Sequence, residues 1–211
     1  CSDSVVIPVT VQSLPDIFVT YTPDPSCLGD STYFFGESGF VIDQWHWDFD
    51  DGNFSNNQYA SHIFVDTGNY LVELTIVDTI GCINTLNNIV RVNPVPDVSF
   101  TMSDSVICHG YEIQFTSTAS NNVALWYWEF GNGSFSFDQH PIHLYQSAGT
   151  YTIYLTVTDS LGCSSTTTDQ VKILPGATAN YSYTNLTCGI VLFTDLSTAP
   201  TGYNIVEWLW D

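Results

Sequence analysis

Trp47-Asp48-Phe49-Asp50-Asp51-Gly52 returns 81 residues later as Trp128-Glu129-Phe130-Gly131-Asn132-Gly133, and the same offset holds well outside the turn. It carries His62 onto His143, Gly68 onto Gly149, Tyr70 onto Tyr151 and Asp78 onto Asp159. Cys27 and Cys82 stand 55 positions apart, as do Cys108 and Cys163. Such self-similarity marks a tandem repeat, and a unit of that length can hold a core of its own.

Working outward from Trp47, the period of two along Trp45-His46-Trp47-Asp48-Phe49 puts Trp45, Trp47 and Phe49 on one strand face and His46 and Asp48 on the other. Tyr70, Val72, Leu74 and Ile76 share a face in the same way, as do Tyr151, Ile153, Leu155 and Val157. Two such faces packed together make the interior of a sandwich. Gly, Pro, Asn and Asp interrupt apolar runs at short intervals, and no segment has helical periodicity, so the fold class is all-β. Strands are expected near 17–22, 31–36, 42–49, 59–64, 69–77 and 84–92, and again near 98–102, 112–117, 124–130, 142–145, 150–158 and 166–173.

These runs divide the chain into residues 1–13, the last strand of a preceding unit; 14–95, a first complete unit; 96–175, a second; and 176–211, the N-terminal part of a third, incomplete unit. Val5-Val6-Ile7 and Val9-Thr10-Val11 match the segment after Cys82, and Trp208-Leu209-Trp210-Asp211 matches the aromatic strand. The expectation is a window on a longer chain, with strand exchange between molecules as the alternative. Val92-Asn93-Pro94-Val95-Pro96 and Ile173-Leu174-Pro175-Gly176 are linkers too short for free tumbling.

Twenty-two acidic residues oppose only Arg91 and Lys172, for a formal charge of −20. A surface this acidic excludes nucleic acid and anionic lipid as partners. No uninterrupted apolar run approaches the length needed to cross a bilayer. Arg91 and Lys172 are repeat-equivalent and sit in expected last strands, where a charge discourages edge pairing.

Six cysteines allow 15 full pairings, and the repeat selects Cys27 with Cys82 and Cys108 with Cys163. Each bridge would add about 4 kcal/mol by closing its loop. Cys1 occupies the slot of Cys82 and Cys163, and Cys188 that of Cys27 and Cys108, so both are expected to pair outside this segment; a lipidated Cys1 is the alternative. Stable disulfides place the protein in an oxidising compartment, extracellular or at the cell surface.

The set Trp47-Asp48-Phe49-Asp50-Asp51-Gly52, His62-Ile63-Phe64, Gly68-Asn69-Tyr70 and Asp78-Thr79-Ile80-Gly81-Cys82, with its second copy, closely resembles the PKD domain. The resemblance covers essentially the whole chain and departs from the usual Trp-x-Phe-Gly-Asp-Gly at Asp50, Glu129 and Asn132. It implies tandem immunoglobulin-like β-sandwiches arranged as a rod, with Trp47, Phe49, Tyr70, Trp128, Phe130 and Tyr151 as core motif. It also implies a spacer, stalk or adhesin role in secreted or surface proteins, including gliding and adhesion proteins of bacteria.

Other constellations carry little chemistry. Asp48, Asp50 and Asp51 crowd one turn, which makes Ca²⁺ the one cofactor candidate, but their spacing is not that of a calcium loop and turn chemistry is favoured. His62 and His143 recur without metal-ligand neighbours and are read as structural hydrogen-bonding residues. No nucleophile elbow, phosphate loop or zinc-protease motif occurs, and no enzyme is expected. Ser31, Thr79, Ser105 and Ser160 lie in Asp-Ser/Thr-aliphatic (or Thr) patterns that resemble a bacterial O-glycosylation sequon. The leading expectation is a structural and adhesive segment of a long extracellular protein or filament. Its partners are neighbouring repeats, like chains, or a surface glycan or protein ligand. The alternative is an accessory binding module of a secreted multidomain enzyme, recognising polysaccharide or protein.

Overall fold

The structure, a computed structural model, describes residues 11–120, 122–186 and 190–209. The chain divides into two compact units, Cys1–Val95 and Pro96–Asp211. All regular structure among the described residues is β, and no helix there is long and apolar enough to cross a membrane.

The first unit contains β1 (Phe18–Thr22), β2 (Ser26–Cys27), β3 (Ser31–Glu37), β4 (Ile42–Asp48), β5 (Phe54–Ser55), β6 (Tyr59–Ile63), β7 (Gly68–Asp78) and β8 (Ile83–Asn93). One sheet has three strands in the order β1-β3-β6, the other five in the order β2-β8-β7-β4-β5. Of the inward positions read from the alternation, Trp47, Val72, Leu74 and Ile76 of the large sheet and Phe49 at a strand end meet between the sheets, joined by Phe34 from the small sheet, Val90 and Val92 from the large one and Phe64 at a strand end. Each of these is nearly or completely buried. Burial of one such side chain contributes about 1.5–3 kcal/mol, so these nine aromatic and branched residues, with Ala60 beside them, set the register of both sheets.

The second unit repeats the pattern with β9 (Val98–Met102), β10 (Val106–Cys108), β11 (Glu112–Ala119), β12 (Val123–Glu129), β13 (Phe135–Ser136), β14 (Ile142–Leu144), β15 (Gly149–Asp159) and β16 (Ser164–Leu174). Its sheets run β14-β11-β9 and β10-β16-β15-β12-β13. The core is built from Ile113, Phe115, Trp128, Phe130, Tyr145, Ile153, Leu155, Val157, Val171 and Ile173. A hairpin of β17 (Tyr181–Asn185) and β18 (Val191–Asp195) follows, antiparallel like β9 and β11.

The aromatic strand expected to end at Trp208–Asp211 does not form among the described residues, and Trp208, expected near a core, is 50% exposed. In the complete units that strand pairs with β7 or β15, and among the described residues no third counterpart of those strands is present. Trp45 and Trp126 are half-buried against their cores. The expected strand at 5–11 falls almost wholly outside the described residues, as do Cys1, Cys188 and Trp210.

The four short strands β2, β5, β10 and β13 were absent from the sequence reading, being too short to show a period. Two of them matter for the cysteines. Cys27 pairs in register with Asn93 at the far end of β8, whereas Cys82 immediately precedes Ile83 at its near end. At about 3.4 Å per residue those ends lie roughly 35 Å apart, while bridged Cα atoms come within about 7 Å. Cys108 opposite Leu174 and Cys163 beside Ser164 are separated in the same way along β16. The pairings Cys27 with Cys82 and Cys108 with Cys163 are therefore not made: Cys82 and Cys108 are free thiols, while Cys27 and Cys163 are buried and disulfide-bonded.

Candidate functional site

The repeated polar residues are bound to the backbone of their own unit. Asp48 accepts the Asp50 amide at 2.9 Å, Asp50 accepts the Leu71 amide at 2.9 Å, and Asp51 accepts the Asn53 amide at 3.0 Å. The second oxygen of Asp51 meets His62 Nε2 at 2.7 Å. Three carboxylates thus go to different donors instead of converging, and among the described residues no group of three or more His, Cys, Asp or Glu could hold a metal ion. Burial pushes the Asp51 carboxyl up, but hydrogen bonds from His62 and Asn53 outweigh it and the net shift is downward.

His62 is also part of the core edge. Its ring stacks on Phe49 with centroids 4.3 Å apart and meets Phe64 edge-on at 4.6 Å. His143 repeats this on Phe130 at 4.1 Å and Tyr145 at 4.6 Å, with Asn132 in place of Asp51 at 3.1 Å from its Nε2. Burial holds the His143 pKa below its usual value. Tyr145 donates to the Phe130 carbonyl at 2.8 Å, and burial raises its phenol well above the normal range.

The turn at Asp50 shows two solutions to one problem. Asp50 takes a left-handed φ of 62°, and its carboxylate reaches the Leu71 amide. The equivalent Gly131, at φ 74°, lies so close to β15 that an added Cβ would stand 2.5 Å from the Thr152 carbonyl oxygen. Trp47 and Trp128 donate their indole N–H to the Asn57 and Asp138 carbonyls, both at 2.9 Å, while Tyr70 and Tyr151 are half-buried and donate to Asp66 and Ser147.

Asp78 and Asp159 account for the Asp-x-x-Gly-Cys repeat. Asp78 Oδ1 accepts the amides of Ile80 and Cys82, and Asp159 Oδ1 those of Leu161 and Cys163, locking the tight turns β7 to β8 and β15 to β16. Thr79, Ser105 and Ser160 are exposed, whereas Ser31, at the start of β3, is half-buried. Arg91 and Lys172 are exposed on β8 and β16.

The sequence reading missed the outer face of the second unit's large sheet. Tyr127, Phe135 and Phe137 form one aromatic cluster there, with centroids 5.5 Å apart for Tyr127 and Phe137, 5.7 Å for Phe135 and Phe137, and 6.3 Å for Tyr127 and Phe135. Phe135 and Phe137 are 61% and 57% exposed, and the neighbouring Leu125 and Tyr154 are exposed too. The period of two along β12 was the available signal: Leu125, Tyr127 and Glu129 alternate with Trp126 and Trp128.

The PKD domain family model matches residues 33–94 and 91–173. The chain belongs to the PKD domain family. Its PKD units are 39% identical over 71 residues to the pre-pro-metalloprotease PrtV of Vibrio cholerae, covering 31% of this chain and 8% of that protein. They are 37% identical over 76 residues to collagenase ColA of Bacillus cereus, covering 34% of this chain and 8% of the relative. With collagenase ColA of Clostridium perfringens the figures are 29% over 120 residues, 55% and 10%. The chain thus spans a tenth or less of the length of these curated relatives. Among solved structures, the PKD1 domain of V. cholerae PrtV is 32% identical over 37% of this chain and 96% of that domain, with a TM-score of 0.34. The PKD1 domain of Vibrio anguillarum Epp is 29% identical over 40% and 99%, with a TM-score of 0.36.

Proposed function

We propose that this chain is a non-catalytic structural and adhesive segment of a long extracellular bacterial surface protein, in which each PKD sandwich is a spacer. The observation that carries this reading is where the recurring polar groups go. The aspartates, histidines and tyrosines common to both units are bound within turns and core edges. The oxidised state of Cys27 and Cys163 supports an extracellular location. Neighbouring repeats and like chains in a filament are its proposed partners, and Thr79, Ser105, Ser160 and Ser31 its proposed O-glycosylation sites. Antibody raised against this chain is expected to label intact, unpermeabilised cells of the source organism. Labelling confined to permeabilised cells would refute the extracellular reading.

A second reading is an accessory module of a secreted multidomain enzyme, favoured by the metalloprotease and collagenase relatives. The two readings separate on the mass of the native polypeptide and on hydrolytic activity accompanying it.

A further inference from the structure

The two units share a core but not an outer surface. Leu125, Tyr127, Phe135, Phe137 and Tyr154 correspond, at the 81-residue offset, to Gln44, His46, Phe54, Asn56 and Glu73. In the first unit this patch is largely polar, with His46 Nδ1 2.8 Å from Asn56 Oδ1 and its ring against Phe54. In the second, four polar positions have become apolar or aromatic on one contiguous face. The first unit builds the same sandwich without the side chains at those four positions, so folding does not require them. An exposed apolar patch that the architecture does not need marks a surface that meets something.

The face has a definite chemistry. Tyr127, Phe135 and Phe137 line its β13 edge, and Tyr154 lies across from Glu129 on β15. Beyond Tyr154 runs a ladder of hydroxyls, with Thr156 and Thr166 joined at 2.8 Å and Thr158 and Ser164 at 2.9 Å. A carboxylate stands beside the rings: Tyr127 donates to Glu129 at 3.0 Å. No Lys or Arg accompanies the rings, and Lys172 is at the far end of β16.

We propose that this face binds a neutral polysaccharide. Aromatic rings on a sheet present apolar faces on which the C–H face of a pyranose can stack, while the acceptor carboxylate and hydroxyls take its hydroxyl protons. The absence of cations beside the rings and the charge of −20 disfavour uronate or sulfate polymers. The inference deepens the adhesive part of the proposed function and rests on it.

The test is affinity electrophoresis of the whole chain in native gels containing neutral β-glucan, xylan or mannan. Retardation in at least one of them is expected, and it should persist at high salt. The comparison variant combines Tyr127→His, Phe137→Asn and Tyr154→Glu, residues the first unit already accommodates at these places. Its affinity should fall roughly tenfold or more. The reciprocal variant, His46→Tyr with Asn56→Phe and Glu73→Tyr, should gain retardation. Equal retardation of the parent and the Tyr127 variant overturns the proposal. So does unaltered migration across the panel; if sedimentation then shows a dimer that the Tyr127 variant abolishes, the face belongs to a second copy. Surface labelling is read separately, so loss of the glycan site leaves the extracellular reading standing.

Discussion

Replacing Gly131 by alanine tests how tightly the Trp128 turn is fitted to its sheet. Gly131 has φ 74°, and a Cβ there would lie 2.5 Å from the Thr152 oxygen and 3.0 Å from its nitrogen, both backbone atoms of β15. A left-handed conformation costs a residue with a side chain about 1–2 kcal/mol. Forcing two backbone segments apart adds about 1–3 kcal/mol. The sum, about 2–5 kcal/mol, lowers the Tm of a domain this size by roughly 10 °C or more. Gly133→Ala supplies the internal reference, because Gly133 has φ 88° but an added Cβ meets nothing within 4 Å. It should show only the conformational cost. Scanning calorimetry of both variants therefore isolates the contact with Thr152, and equal shifts would refute the reasoning. Asp50→Gly, at the equivalent place in the first unit, exchanges strain for the lost bond to Leu71 and should stay within about 1 kcal/mol of the parent.

Asp159→Ala removes the acceptor of two backbone amides and should destabilise the second unit by about 2–3 kcal/mol in urea titrations, with Asp78→Ala doing the same to the first. Trp128→Ala, which empties a fully buried site and orphans the Asp138 carbonyl, should cost about 3–5 kcal/mol. Because the folded state holds His143 below its unfolded pKa, the unfolded chain binds the extra proton first; stability of the second unit should be full at neutral pH and fall as pH drops through about 6.5 towards the folded value. An NMR titration of His143 placing its pKa at or above that of a free histidine would contradict this. Thiol labelling of the native, unreduced chain should modify Cys82 and Cys108, and peptide mapping should yield no Cys27 to Cys82 or Cys108 to Cys163 crosslink.

The long strands and both cores were legible because their alternation is strict over many residues and their bulky members face one way. Trp47 and Phe49 declare a buried face at a glance, and the 81-residue offset confirms it in a second copy. The cysteine pairing failed because equal spacing in a repeat says which residues are equivalent, not which are adjacent. Cys27 and Cys82 occupy opposite ends of an 11-residue strand, and that follows from the parallel register of β2 on β8, which two residues cannot announce. The aspartates at 48, 50 and 51 each accept a backbone amide, a contact that crowding of acids in a turn sequence does not by itself distinguish from cation binding. The aromatic face was overlooked for a different reason. Attention to the shared positions of a repeat hides whatever the copies do differently, and Tyr127, Phe137 and Tyr154 are legible only by subtraction.

The short strands β2 and β10 run parallel to the ends of β8 and β16. When a unit is stretched from its two ends, tension draws β10 backwards along its own length and β16 forwards along its own. The rungs between Val106 and Lys172, Ile107 and Ile173, and Cys108 and Leu174 must then give way together instead of unzipping one after another. The first unit has only two such pairs, Ser26 with Val92 and Cys27 with Asn93. By this difference in register the first sandwich is expected to yield at lower force than the second when both are loaded in single-molecule pulling.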